Sequence, residues 1–294
     1  MPHGWIILDK PLELSSTQAV AAVKRNLRQA GYGKVKVGHG GTLDPLATGV
    51  LPIAVGEATK LAGRMLDASK TYAFTLAFGT ETTTLDAEGE ACATSDVRPA
   101  AADIAAVLSA FTGPIQQVPP AYSALKVDGQ RAYDLARAGE EVTLATRAVT
   151  IHALDIVETT PDSVTLLANV SKGTYIRSLA RDLAHALGSV GHVTMLRRVK
   201  AGPFVIETAI SLDKLNELGK GAPLEDIILP LEAGLDDIPA LSLSPDAAGA
   251  VRQGRKLSGL PQPDGTYWGR EGDKPVALME VTGGEARVLR GFNL

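Results

Sequence analysis

A change of hydrophobic period between residues 163 and 187 narrows the folds open to this chain more than any other feature of it. Val164, Leu166, Ala168 and Val170 alternate, which is the period of a half-buried strand. Ile176, Leu179, Ala180, Leu183 and Leu187 then recur at the helical spacing, so an amphipathic helix follows from about Thr174 to Leu187. Arg177, Arg181 and His185, four residues apart, line another face of that helix. A sheet with one covered face and helices to cover it implies an α+β protein.

The rest of the chain divides in the same terms. Trp5 to Asp9, Lys70 to Gly79 and Ala148 to Val157 read as strands, and His192 to Phe204 as a strand pair. Helices are expected at Thr17–Ala30, capped by Ser15 or Ser16, and at Glu57–Leu66, Ala101–Phe111 and Gln130–Ala138. Lys36 to Gly56, rich in glycine and proline, reads as one long loop, and Glu81 to Asp96 as a polar surface excursion. Acidic helical segments run to about Asp237. Beyond residue 240 come a short helix, Pro245–Gln253, and a hairpin around Gly283-Gly284. The expected division is residues 1–240 and a small all-β domain, 241–294.

With 294 residues, of which 45% are hydrophobic, the chain has ample material for a core. No stretch is long and apolar enough for a membrane span, and no signal peptide is expected at the start. One cysteine, Cys92, excludes an internal disulfide, which suits a reducing cytoplasm. The five histidines lack helical metal-site spacing, so no metal is expected. Net charge is −4, yet residues 172–202 carry six basic side chains against Asp182. A basic face for nucleic acid is compatible with that balance, and so is ordinary solvated charge.

The chemistry-bearing segment runs Val37-Gly-His-Gly-Gly-Thr-Leu-Asp-Pro-Leu-Ala-Thr-Gly-Val-Leu-Pro52. Its glycines allow close backbone approach to a ligand, its prolines stiffen it, and Pro45 biases Asp44 toward extended geometry. A rigid loop presenting His39 and Asp44 results. No phosphate-cradling pattern is present. Loop chemistry alone leaves a tight turn capped by Asp44 as an alternative.

This segment, followed by Gly56-Glu-Ala-Thr-Lys60, resembles the signature of the bacterial tRNA pseudouridine-55 synthases. Lys10-Pro11, Lys70-Thr-Tyr72, Pro119-Pro-Ala-Tyr-Ser-Ala-Leu-Lys126, Gly173-Thr-Tyr-Ile-Arg-Ser-Leu179 and Leu196-Arg-Arg198 agree with further family motifs, in order. Many members read His-Thr-Gly-Ala-Leu-Asp where this chain reads His39-Gly-Gly-Thr-Leu-Asp44; the spacing of His39 and Asp44 is kept.

The resemblance implies a mixed, mostly antiparallel sheet flanked by helices, with a C-terminal β-barrel module similar to PUA. It implies isomerisation of uridine 55 in the T-arm of tRNA to pseudouridine, without cofactor or metal. Asp44 becomes the catalytic carboxylate, as nucleophile or base. A carboxylate in a partly dry pocket loses hydration, so a cation should stand beside it, and Arg177 is the matching residue. Tyr72 is expected to stack on the everted base, Tyr175 and Leu196 to line its pocket, and His39 to sit beside it and hold the loop. Lys10, Lys126, Arg197, Arg198, Arg252, Arg255 and Lys256 are the candidate RNA contacts, the last three toward the acceptor stem. A monomer without an obligate protein partner is expected.

Three rival readings compete for the same residues. An RNA-folding helper would share binding and flipping. A guide-RNA-dependent synthase shares the loop, but this chain lacks long basic tails. A glycoside hydrolase needs two carboxylates about the bond, and the matched segments offer Asp44 no partner.

Overall fold

The computed structural model describes residues 2–123, 125–127, 129–140, 142–221 and 223–294. The apolar start forms β1 (Gly4–Lys10), followed by α1 (Ser16–Gln29). Ser15 is the N-cap: its hydroxyl accepts from the Gln18 N–H and the Gln18 side chain accepts from the Ser15 N–H, a reciprocal capping box.

Residues 36–56 are not one loop. They form β2 (Val37–His39) and β3 (Ala47–Val55), leaving only residues 40–46 irregular. Proline and glycine content suggested a loop, but Val50, Leu51, Ile53, Ala54 and Val55 are all fully buried. Such a continuous apolar run is a central strand. Pro52 is tolerated because it falls between the two partial neighbours on one side of β3, which pair with residues 47–49 and 53–55.

The chain continues through α2 (Ala62–Asp67), β4 (Lys70–Phe78) and a small hairpin, β5 (Thr80–Thr82) and β6 (Ala91–Thr94). Then come α3 (Ala101–Leu108), β7 (Gly113–Gln117), β8 (Lys126–Val127), β9 (Gln130–Arg131) and α4 (Ala132–Arg137). The long hairpin β10 (Arg147–Thr159) and β11 (Ser163–Val170) leads into α5 (Ile176–Ala186). After these come β12 (Gly191–Ala201), β13 (Phe204–Val205), β14 (Ile210–Ser211) and α6 (Leu212–Leu218). Residues 81–96 are not merely a surface excursion either: Thr82, Thr84, Leu85 and Asp86 are buried, because the turn of this hairpin folds back onto β12.

The main sheet has the order β14-β1-β3-β12-β4-β11-β10-β7, with β2 and β13 attached at its side. Only the β1–β14 and β3–β12 pairs are parallel. Several apolar layers cover it, and two of them carry the helices that frame the cleft. α5 and α3 pack over β4, β10 and β11 through Leu179, Leu183 and Ile104 against Phe74, Leu166 and Ile151. α1 and α6 pack over β1 and β3 through Val23, Leu27 and Leu215 against Ile6, Leu8 and Leu51. Tyr72 and Leu196 touch both layers. The seam between two helical layers, floored by those two side chains, is where a cleft opens.

The C-terminal module consists of β15 (Ala240–Ser242), α7 (Pro245–Arg252), β16 (Gly265–Glu271), β17 (Lys274–Thr282) and β18 (Glu285–Gly291), the strands forming a second sheet in that order. It has its own small core around Leu241, Val251, Val276 and Met279. Leu278 and Phe292, by contrast, are buried with Leu61, Leu235 and Ile238 of the larger part. No helix among the described residues is long and apolar enough to cross a membrane.

Candidate active site

The short loop 40–46 is held from several sides. Ser16, the first residue of α1, clasps Leu43: its hydroxyl accepts from the Leu43 N–H at 2.9 Å and donates to the Leu43 carbonyl at 3.1 Å. The Lys10 ammonium donates to the carbonyls of Pro11, Leu14 and Pro45 at 2.9, 2.6 and 3.2 Å. Arg198 donates to the carbonyls of Val50, Thr42 and Gly41 at 2.7, 3.3 and 3.2 Å. Asp44 thus lies between a residue clasped by α1 and one tied down by Lys10. Gly49 is required by this packing, since an added Cβ would lie 2.2 Å from the Arg198 carbonyl oxygen.

Lys10 and Arg198 are therefore corrected as RNA contacts. They are 0% and 1% exposed, and their donors are spent on backbone carbonyls, so neither can reach a phosphate. Burial brings the Lys10 ammonium down to about 8 against the opposing pull of Asp44, with Arg198 adding to the lowering. Burial does the same to Lys70, also to about 8, whose three bonds go to the carbonyls of Met65, Leu66 and Ala68. Burial, with the Arg198 charge adding to it, lowers the His39 imidazole below its ordinary range. His39 does not line the cavity described below; its Nδ1 accepts from the Gly41 N–H at 3.4 Å, so it supports the loop from behind.

Arg177 enters from the start of α5. One guanidinium nitrogen lies 3.0 Å from Asp44 and the other 3.3 Å from Asp86. The same two nitrogens donate to the carbonyls of Tyr122 and Thr84 at 3.0 and 2.8 Å. The side chains of Arg177 and Asp86 are 8% and 10% exposed, whereas that of Asp44 is 45% exposed, so only Asp44 is open to a ligand. Asp86 is further fixed by the Thr84 hydroxyl and by the Glu88 N–H at 3.0 Å. It escaped the sequence reading because its segment looked like a polar loop. The pattern Thr82-x-Thr84-x-Asp86, with every second residue polar and buried, is the signal that was present. Asp86 is a second carboxylate near Asp44, but it stands behind Arg177 and cannot flank a sugar bond with it.

A cavity of about 270 Å³ opens above Asp44, walled by Tyr72, Tyr175, Arg177, Leu196, Ser123 and the loop residues Thr42 and Leu43. Of the expected pocket residues, Asp44, Tyr72, Tyr175, Arg177 and Leu196 meet here, from β4, the turn before α5, α5 itself and β12. Burial pushes the Tyr175 phenol up, while Arg147, whose guanidinium lies 5.7 Å from the ring centroid, pulls the other way. The expected basic face is smaller than the charge count suggested. Arg197 pairs with Asp9 at 2.8 Å, Lys172 with Asp67 at 2.9 Å and Arg181 with Asp182 at 2.8 Å. In the C-terminal module Arg252 pairs with Glu271 at 2.7 Å and Lys256 with Glu285 at 3.4 Å, both still partly exposed, and Arg255 is exposed. Lys126 is exposed in β8.

Residues 25–176 match the model of the TruB family pseudouridylate synthase N-terminal domain, and residues 177–236 that of the tRNA pseudouridylate synthase B C-terminal domain. The tRNA pseudouridine synthase B of Novosphingobium aromaticivorans is 72% identical, over 100% of this chain and 98% of that protein. The protein of the same name from Caulobacter vibrioides is 48% identical, over 99% and 96%. A crystal structure of a Cbf5-Nop10-Gar1 complex contains a chain similar at 27% identity and a TM-score of 0.75, over 99% of this chain and 85% of that one. A chain in an H/ACA RNP bound to a substrate RNA containing 2'-deoxyuridine is similar at 26% identity and a TM-score of 0.74, over 99% and 85%. An open carboxylate at the seam of a mixed sheet, matched along almost the whole chain, has one reading: the chain belongs to the TruB family of pseudouridylate synthases.

Proposed function

We propose that this chain isomerises uridine 55, in the T-arm of tRNA, to pseudouridine, with Asp44 as its catalytic carboxylate. The observation that carries the reading is the exposed Asp44 carboxylate held 3.0 Å from buried Arg177 at the base of a cavity walled by two tyrosines and a leucine. Asp44 is reached through a cavity walled by side chains, so the target nucleotide leaves its stack to meet it. Tyr72 or Tyr175 offers an aromatic face to the everted pyrimidine, and Leu196 an apolar wall. Arg177 holds the Asp44 carboxylate in place at 3.0 Å, which serves attack on the sugar and removal of a proton equally well. The N-glycosidic bond breaks, the uracil turns, and a bond from its carbon 5 to the sugar forms. The proton lost at carbon 5 is balanced by one gained at the freed ring nitrogen. No electrons are exchanged with an outside partner, so the chemistry calls for no redox cofactor.

Residues 1–240 form the catalytic part in this proposal, and 241–294 an RNA-binding module that offers Arg252, Arg255 and Lys256 to the acceptor stem. Lys126 and Arg197 complete the candidate contacts near the cleft. The enzyme works in the cytoplasm as a monomer, without an obligate protein partner. Asp44→Asn is the direct test. Pseudouridine formation on transcript tRNA should fall by at least about 100-fold, with tRNA affinity largely kept. Equal loss of both would make Asp44 a structural residue and end the proposal.

A further inference from the structure

Tyr175 occupies the N-cap position of α5, and its own side chain makes no capping bond. A serine, threonine or aspartate would be the ordinary choice there. The position is given instead to a ring that walls the cavity, and the local shortfall is made good from a distance. The Tyr175 N–H donates to Oε1 of Gln117 at 2.8 Å, and Nε2 of Gln117 donates back to the Tyr175 carbonyl at 3.1 Å. The carboxamide thus closes a two-bond ring on the main chain of one residue. Within a capping box a glutamine three residues downstream reaches back to the N-cap N–H; here a glutamine from the edge strand β7 performs that half of the motif.

The clamp is buried. Gln117 is 1% exposed, and its strand register sets it opposite Arg147, whose guanidinium covers the Tyr175 ring. The next residues continue the contact along α5: the Val118 carbonyl accepts from the Ser178 hydroxyl at 2.8 Å and the Tyr122 carbonyl from Arg177 at 3.0 Å. Segment 117–122 therefore meets the first turn of α5 at three points, and the first of these is the only one made by a side chain of that segment. Both Tyr175 and Arg177 take their positions from this turn.

We propose that Gln117 is a positioning residue for uridine isomerisation, setting Tyr175 and the entry of Arg177 into the cleft. This rests on the function proposed above. Its amide is required in both senses, since one atom must accept and the other donate. A carboxylate in its place keeps the acceptor, loses the donor and repels the Tyr175 carbonyl, whereas a protonated carboxyl restores the donor.

Two variants test this, Gln117→Met, which removes both bonds without adding charge, and Gln117→Glu. Single-turnover pseudouridine formation, tRNA affinity and thermal unfolding are measured for each, from pH 8 to pH 5.5. Gln117→Met should slow the single-turnover rate on the order of 10- to 100-fold, as a small misplacement of a reacting group does, with tRNA affinity within a few-fold of the unmodified protein. Gln117→Glu should be slow at pH 8, and its rate relative to the unmodified protein should rise as pH falls. In a Tyr175→Ala background, where the main-chain bonds and Arg177 remain, the Gln117→Met effect should shrink to the part exerted through Arg177. A Gln117→Met protein with the full rate overturns the proposal. So does a rate loss no larger than the loss of folded protein or of tRNA affinity, or one undiminished in the Tyr175→Ala background. Absence of any pseudouridine from the unmodified protein would instead sink the functional reading, so the two failures are distinguishable.

Discussion

One guanidinium between two carboxylates of unequal access is the central arrangement among single side chains. Asp86 holds Arg177 from the buried side, and Arg177 presents its remaining face to Asp44. A buried cation that loses an anion is left poorly compensated, which generally destabilises by about 3–5 kcal/mol. Asp86→Ala should therefore lower unfolding free energy in urea by roughly 3 kcal/mol and slow isomerisation at least tenfold, because Arg177 is then free to shift. A variant with full stability and full rate would show that Asp44 and the Thr84 and Tyr122 carbonyls suffice to hold Arg177. The pairing of Asp44 with Arg177 was expected from the sequence; the anchoring of Arg177 by Asp86 was not. Asp86 is an ordinary aspartate in a polar stretch until the hairpin brings it under α5.

Among the elements, α1 does two separate things with adjacent serines. Ser15 caps the helix, whereas Ser16 reaches across to Leu43 and so acts on the loop that carries Asp44. Ser15→Ala should cost about 1 kcal/mol of stability and leave the isomerisation rate unchanged. Ser16→Ala leaves the N–H and carbonyl of buried Leu43 short of a partner, a loss of roughly 1–3 kcal/mol, and should also slow the reaction. Urea unfolding and single-turnover rates on the same two proteins separate the roles; equal behaviour would mean the loop does not depend on the clasp. The sequence placed the helix and its cap, because capping is local chemistry. It mistook β3 for loop, because proline and glycine are read as breakers while burial on both faces outweighs them.

On the scale of the whole molecule, the C-terminal module is docked rather than tethered. Leu278 and Phe292 share a core with Leu61, Leu235 and Ile238, the Lys60 ammonium donates to the Gly291 carbonyl at 2.8 Å, and the Asn293 N–H donates to Glu57 at 2.8 Å. Phe292→Ala should cost about 3–5 kcal/mol, lower the thermal midpoint and weaken tRNA binding while leaving the rate on bound tRNA nearly intact. An unchanged midpoint would mean that the shared core contributes little. What this sequence determined by itself was the kind of structure and, through its family motifs, the candidate reactive group. Alternation and helical period report which side of each segment is buried, and the resemblance of residues 37–52 to a family signature singles out Asp44, which glycine and proline content alone left open. What only tertiary structure decided was which charges meet. Lys10 and Arg198 look like surface cations in sequence and are loop anchors in space; Asp86 and Gln117 look incidental and are clamps. Hydrophobic pattern is a one-dimensional record of burial, but the partner of a buried polar group is chosen by folding, among residues far apart along the chain.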